Sequence, residues 1–165
     1  MNQSKYVAIP GLLAAAAVLL GYVEFLIPVV PPISGIKLGL GNIAVLLALR
    51  MLPSSRIALG VMLAKVTVCA LLFSGIGGLP YSLAGGVAGW AVMALLCQCR
   101  QLSSAGISAA GGAVHMAAQV TVAVLLTSTA EVFSLLPLLM AIGTATGFLN
   151  GIIVNLMQHV VLKFS

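Results

Sequence analysis

Apolar residues fill this chain in six long runs, separated by short clusters of proline, glycine and polar residues. The runs fall near residues 7–27, 36–52, 56–74, 79–98, 105–127 and 133–160. Most approach the roughly 20 apolar residues that a helix needs to cross a bilayer. The pattern predicts an all-α integral membrane protein, a bundle of six transmembrane helices forming a single domain over residues 1–165. The second run is the awkward one. A proline cluster beginning at Pro28 stops the preceding helix, and Gly35-Ile36-Lys37-Leu38-Gly39-Leu40-Gly41-Asn42 follows. A helix starting only at Asn42 covers roughly 16 Å at the usual rise per residue, too short to cross. The glycine stretch is then either helical itself or irregular backbone, tolerated at membrane depth only where protein or water shields it.

The N-terminus has the look of a signal peptide, with Lys5 ahead of an apolar run and the small residues Ala14 to Ala17. The run continues past the alanines to Ile27, long enough to span, so no cleavage is expected.

Composition agrees with the pattern. Hydrophobic residues make up 62% of 165 positions, and the nine charged residues include no aspartate. A soluble domain carries about 25% charged residues. With six spans, Lys5, Arg50, Arg56, Arg100 and Lys163 fall on one side, and Lys37 and Glu131 on the other. The positive-inside rule places the basic side in the cytoplasm, giving a multi-pass cell-membrane protein with both termini cytoplasmic. The net charge of +5 therefore expresses topology. No basic patch with interleaved aromatics exists, so nucleic acid is not an expected partner.

With the topological charges set aside, a short list of polar residues needs a reason. Lys65 lies well inside the third run, where a lysine costs about 2.5–3.5 kcal/mol on insertion scales. It either snorkels along its stem toward the cytoplasmic face, roughly 13 Å away by helix rise, or serves a site. His115 and Gln119 are spaced i,i+4 in the fifth run and share one helix face. They either bond to a neighbouring helix or act on a ligand or proton. The sixth run carries Thr144, Thr146, Asn150 and Asn155 among Gly143, Gly147 and Gly151. Glycines four apart let helices pack backbone to backbone, which explains the glycines but not the asparagines. Thr144 is expected near mid-depth, within reach of an outward-facing pocket.

Glu24 closes the first run at the same depth as Lys37. The two either form a plain ion pair or leave Lys37 free to hold an anionic ligand, with Asn42 and glycine amides assisting. Cys69, Cys97 and Cys99 sit in apolar surroundings. Cys97-x-Cys99 without nearby histidine or carboxylate makes a poor metal site, so the thiols read as small hydrophobes, and neither metal nor cofactor is expected. Together the residues predict one pocket bordered by Glu24, Lys37, Asn42, Tyr81, His115, Gln119 and Thr144. Lys65 and Asn150 are further intramembrane polar candidates.

Three motifs carry a resemblance. Gly35-Ile36-Lys37-Leu38-Gly39-Leu40-Gly41-Asn42-Ile43, Tyr81-Ser82-Leu83-Ala84-Gly85-Gly86 and Gly112-Ala113-Val114-His115-Met116-Ala117-Ala118-Gln119 resemble, in order, the Gx transporter family. That family is also labelled heptaprenyl diphosphate synthase component I. It is similar to the substrate-binding S components of energy-coupling-factor vitamin transporters, which have six helices and bind ligand near the outer face. The resemblance implies Lys37, Asn42, His115 and Gln119 as motif positions, with Lys65 where a basic residue is expected. It also implies a coupling subunit with ATPases as partner, alongside a small anionic or amphipathic substrate and the lipid bilayer. S components often dock through an Ala-x-x-x-Ala face on the first helix. Here that helix offers Gly11/Ala15 and Ala17/Gly21, and the strict match Ala44/Ala48 lies on the second.

Catalysis is not expected. Prenyl diphosphate synthases hold magnesium with aspartate-rich motifs that neutralise the leaving diphosphate. This chain has no aspartate, its two glutamates are far apart, and it has neither a P-loop nor a nucleophilic triad. Two functions stay open: a substrate-binding transport subunit, or a non-catalytic membrane component associated with prenyl diphosphate synthesis in the quinone pathway. The cytoplasmic loops around Pro53–Arg56 and Gln98–Ser104 offer little docking surface, which favours transport.

Overall fold

The computed structural model describes residues 3–27, 39–99 and 101–163. All regular structure among them is helical. Helix α1 runs Gln3–Leu26, α2 Asn42–Met51, α3 Ser55–Cys69, α4 Leu79–Leu96, α5 Ser104–Thr127 and α6 Leu136–Lys163. One π-helical turn, Ala70–Ser74, prolongs α3, and short 3-10 turns lead into α4 and α6. Local chemistry explains the boundaries. Ser54 Oγ accepts from the Arg56 amide at 3.3 Å and starts α3, while Ser103 Oγ accepts from the Gly106 amide at 3.2 Å and starts α5. Gly75, at φ 69°, makes the turn before α4, which carries its proline in the first helical turn.

Five helical segments are long and apolar enough to cross a membrane: Val7–Leu26, Ser55–Phe73, Ile76–Leu96, Ser104–Thr127 and Ala130–Gln158. The second run is the exception among the described residues. Its helix begins only at Asn42 and has 10 residues, about 15 Å of rise, half of what a crossing needs. Gly39, at φ 83°, and the turn at Leu40–Gly41 are not helical. Of the two readings of the glycine stretch, irregular backbone shielded by protein holds for its described end, since Gly39 and Gly41 are both buried.

Contacts give the order of the bundle. Cys69 Sγ lies 3.9 Å from the Val18 carbonyl, and Pro10, Gly11 and Ala14 share a groove with Ile57, Gly60 and Val61, so α1 and α3 run parallel. Helix α2 turns back on α3 through Pro53. Trp90 Nε1 donates to the Ser55 carbonyl at 3.1 Å, pinning the lower part of α4 to the first turn of α3. Arg50 Nη2 donates to the Leu102 carbonyl at 3.1 Å, tying the end of α2 to the α4–α5 connection. The α2–α3 turn, the α4–α5 connection, the start of α1 and the end of α6 thus share one end of the bundle. Glu131 lies at the other.

The most extensive helix pairing is α5 with α6. Gly112 meets Gly143, Gly147 meets Ser108, and Gly151 meets Ala105, each so closely that a Cβ would strike backbone. Outward faces are apolar, with Leu12, Leu71, Leu95, Leu125, Leu138 and Leu156 all exposed. The core around α2 is built from Ala44, Val45, Leu46, Leu47 and Ala48, all buried. Ala44 and Ala48 are therefore core residues, closed to a docking partner, whereas Gly11 and Ala15 lie exposed on α1.

Candidate functional site

Polar side chains gather inside this bundle. Glu24, Asn42, Lys65, Ser82, His115, Gln119 and Asn150 are buried, and they come from all six helices among the described residues. Lys65 Nζ reaches Glu24 Oε2 at 3.5 Å, with the two side chains 8% and 0% exposed. Its stem can do so because glycines flank it. A Cβ at Gly41 would stand 2.5 Å from Lys65 Cε, and one at Gly21 3.3 Å from the same atom. Lys65 therefore does not snorkel; its charge is spent on a carboxylate in the parallel neighbour helix.

Glu24 in turn accepts the Gly39 amide through Oε1. Glycine amides were expected to face an anion, and the anion that this one holds is the protein's own. The Gly39 carbonyl accepts from Asn150 Nδ2 at 3.2 Å, so α1 and α6 both hold the turn before α2. The sequence leaves Glu24 either paired with Lys37 or with Lys37 free for an anionic ligand. The structure gives Glu24 to Lys65 and Gly39; Lys37 itself lies outside the described residues.

On the opposite wall, Gln119 Nε2 and His115 Nε2 are 3.1 Å apart. The i,i+4 spacing does put both on one buried face, turned toward α4. Gly85 makes the room: a Cβ there would stand 2.8 Å from Gln119 Cγ and 2.9 Å from His115 Cε1. His115 Nδ1 and Ser82 Oγ make no hydrogen bond of normal geometry, with the Gly85 backbone as the polar neighbour of the ring. Between these walls lies a cavity of about 10 Å³, lined by Asn42, Met62, Lys65, Val66, Ser82, Gly86, His115 and Gln119. That is room for about one water-sized group.

Three expected members do not line the cavity: Glu24 is held by Lys65 beside it, and Thr144 and Tyr81 fall elsewhere. Thr144 is exposed, its hydroxyl bonded to the Met140 carbonyl at 2.7 Å. The reason is helical phase: Gly143, Gly147 and Gly151 press on α5, and Thr144, one residue on, turns about 100° away. Asn150 lies on the inward face in its place. Tyr81 is half-buried and does not line the cavity, whereas its neighbour Ser82 does. Ser82 could have been found from its spacing: it stands three and four residues before Gly85 and Gly86, on the face that meets α5 and α3.

The thiols lie apart from this cluster: Cys69 is buried against α1, Cys97 half-buried and Cys99 exposed. Burial pushes the Cys97 thiol above its ordinary value, with Arg50 acting in the opposite direction. Among the described residues no three histidine, cysteine or acidic side chains cluster as metal ligands would.

An all-helical bundle with an apolar exterior and a polar, ion-paired interior defines the class. The chain belongs to the heptaprenyl diphosphate synthase component I family, whose profile matches residues 13–157. Comparisons with curated proteins and with solved structures give no match.

Proposed function

We propose that this chain is the substrate-binding subunit of a membrane uptake system, taking a small anionic or amphipathic molecule at its buried polar cluster. One observation carries the reading. Five buried polar residues from four helices, Asn42, Lys65, Ser82, His115 and Gln119, line one small cavity, and Glu24 and Asn150 from the other two hold Lys65 and the Gly39 turn beside it. Intramembrane ionisable groups are costly, and chains retain them where they serve a solute or ion pathway. The protein acts without catalysis of its own, and a separate coupling module energises uptake. It crosses the membrane six times, α2 supplying the inner part of the second crossing. The basic end, with Arg50 and Arg56, faces the cytoplasm along with both termini.

Native mass spectrometry of the protein released from detergent tests the site. A co-purified small molecule that disappears in Lys65→Met is the expected result; no bound molecule at any stage of a mild purification removes the reading. Cysteine labelling at positions 131 and 56 tests the orientation, position 131 being expected to react from outside only.

The family description favours a second reading, a non-catalytic membrane component associated with prenyl diphosphate synthesis. It predicts that a soluble prenyl diphosphate synthase is retained by the membrane-embedded chain. Retention that survives Lys65→Met, with no small molecule bound, would favour it over transport.

A further inference from the structure

The cavity has a chemical polarity of its own. Its lining includes the Lys65 ammonium, the Ser82 hydroxyl, the Asn42 amide and the His115 ring, but not Glu24, which lies on the far side of Lys65. With the Gln119 amide nitrogen donating to His115 Nε2, the proton of a neutral ring sits on Nδ1, on the side of the Gly85 backbone. Ser82 Oγ is unpartnered. The one charged group lining the space is the Lys65 cation, beside the Ser82 hydroxyl and the Asn42 and Gln119 amides, each of which has a donor to offer a guest. The complement of this space is an acceptor, and with a cation present, an oxyanion.

Charge balance adds a second condition. Glu24 and Lys65 neutralise one another, so an entering monoanion leaves one surplus negative charge in a buried site. Such a charge is expensive unless a proton accompanies it. The ionisable groups facing the site are Glu24 from α1, Lys65 from α3 and His115 from α5; α2, α4 and α6 contribute the neutral Asn42, Ser82 and Asn150. Lys37, two residues before Gly39, lies outside the described residues.

We infer that an oxyanion, the carboxylate or phosphate end of a monoanionic substrate, enters this cavity by drawing Lys65 away from Glu24, and that Glu24 takes up one proton as it binds. The inference deepens the solute-binding reading and rests on it. Protons and charge balance: one anion and one proton enter together, and the cluster remains neutral. Only the leading oxygens fit the present space of about 10 Å³, so the lining must yield to admit more, and Met62 is the side chain in it best able to shift. Met62 is unbranched and lies over Gly86, where a Cβ would stand 2.6 Å from its sulfur. A diphosphate, with several negative charges, is poorly served by a site whose described charges cancel.

The test is calorimetric titration of the detergent-solubilised full chain in two buffers of different ionisation enthalpy, which counts protons taken up per ligand bound. Acetate and octanoate probe the carboxylate arm and inorganic phosphate the phosphate arm, with chloride as control. The expected result is uptake of one proton per anion in one of the two arms, with affinity falling up to tenfold per pH unit as pH rises. Glu24→Gln is expected to abolish proton uptake, flatten the pH dependence and bind at least tenfold more tightly at high pH. Lys65→Met is expected to lose at least tenfold. Binding without proton uptake, or uptake that persists in Glu24→Gln and vanishes in His115→Asn, would overturn this inference while leaving the solute-binding reading intact. No binding by any probe would overturn both. The wild-type measurement stands even where a variant fails to fold.

Discussion

Helices α5 and α6 and helices α1 and α3 both meet through small residues, yet the two contacts are built in opposite ways. Along α5–α6 the glycines are consumed: Gly112, Gly143, Gly147 and Gly151 bring backbone against backbone with no side chain between. Along α1–α3, Gly11 and Gly60 have nothing within 4 Å of where a Cβ would stand. They border an apolar groove of about 320 Å³. That contact closes only toward its other end, where Cys69 packs on α1 and Lys65 reaches Glu24. A glycine in a membrane helix thus marks where close approach is permitted, not where it occurs. One pair is held by continuous packing, and the other by an ion pair near one end.

The sharpest way to break this contrast is Lys65→Met. It strands the Glu24 carboxylate in the core, and the expected loss of stability is about 3–5 kcal/mol, the scale of a broken buried pair. Adding Glu24→Gln is expected to recover much of it, because the stranded charge is gone. Equilibrium unfolding of both singles and the double in detergent reads this directly. A full loss that the double does not recover would mean that the α1–α3 contact rests on something other than the pair.

Next in size is Gly147→Ala, which drives a methyl into the Ser108 carbonyl. The backbone on both sides cannot yield as a flexible side chain would, so about 2–3 kcal/mol is expected. By contrast, Gly60→Ala meets open space in the middle of α3 and is expected to stabilise by about 0.5–1 kcal/mol, the helical preference for alanine over glycine. If both glycine changes cost the same, the two interfaces are not built differently. Smallest of all is Thr144→Ala on the exposed face of α6, expected to fall within about 0.5 kcal/mol of wild type. Its anion binding should match wild type as well, and a clear loss there would return Thr144 to the site.

Much of this was legible in the residue order. The long apolar runs became helices close to their expected ends, because length and hydropathy alone decide membrane segments. The brevity of a helix starting at Asn42 and the shared face of His115 and Gln119 follow from rise and periodicity, and both hold. The Glu24–Lys65 pairing was not legible. It joins positions 41 residues apart through a parallel packing of α1 and α3 that neither helix announces. Nor was the choice of Asn150 over Thr144, since both sit among the same glycines. Only the contact with α5 decides which side of α6 turns inward. Ser82 rather than Tyr81 reaches the cavity because Ser82 shares a helix face with Gly85 and Gly86, a spacing already present in the sequence.

The bond from Trp90 to the Ser55 carbonyl gives the chain a built-in optical gauge. Trp90 is its one tryptophan, so all indole fluorescence comes from the point where α4 crosses the first turn of α3. Any motion that parts those helices at the basic end breaks that bond and shifts the emission. A rearrangement confined to Met62 and the cavity, toward the other end, leaves the emission where it was. Unlabelled protein can thus distinguish local admission of a solute from a rocking of whole helices.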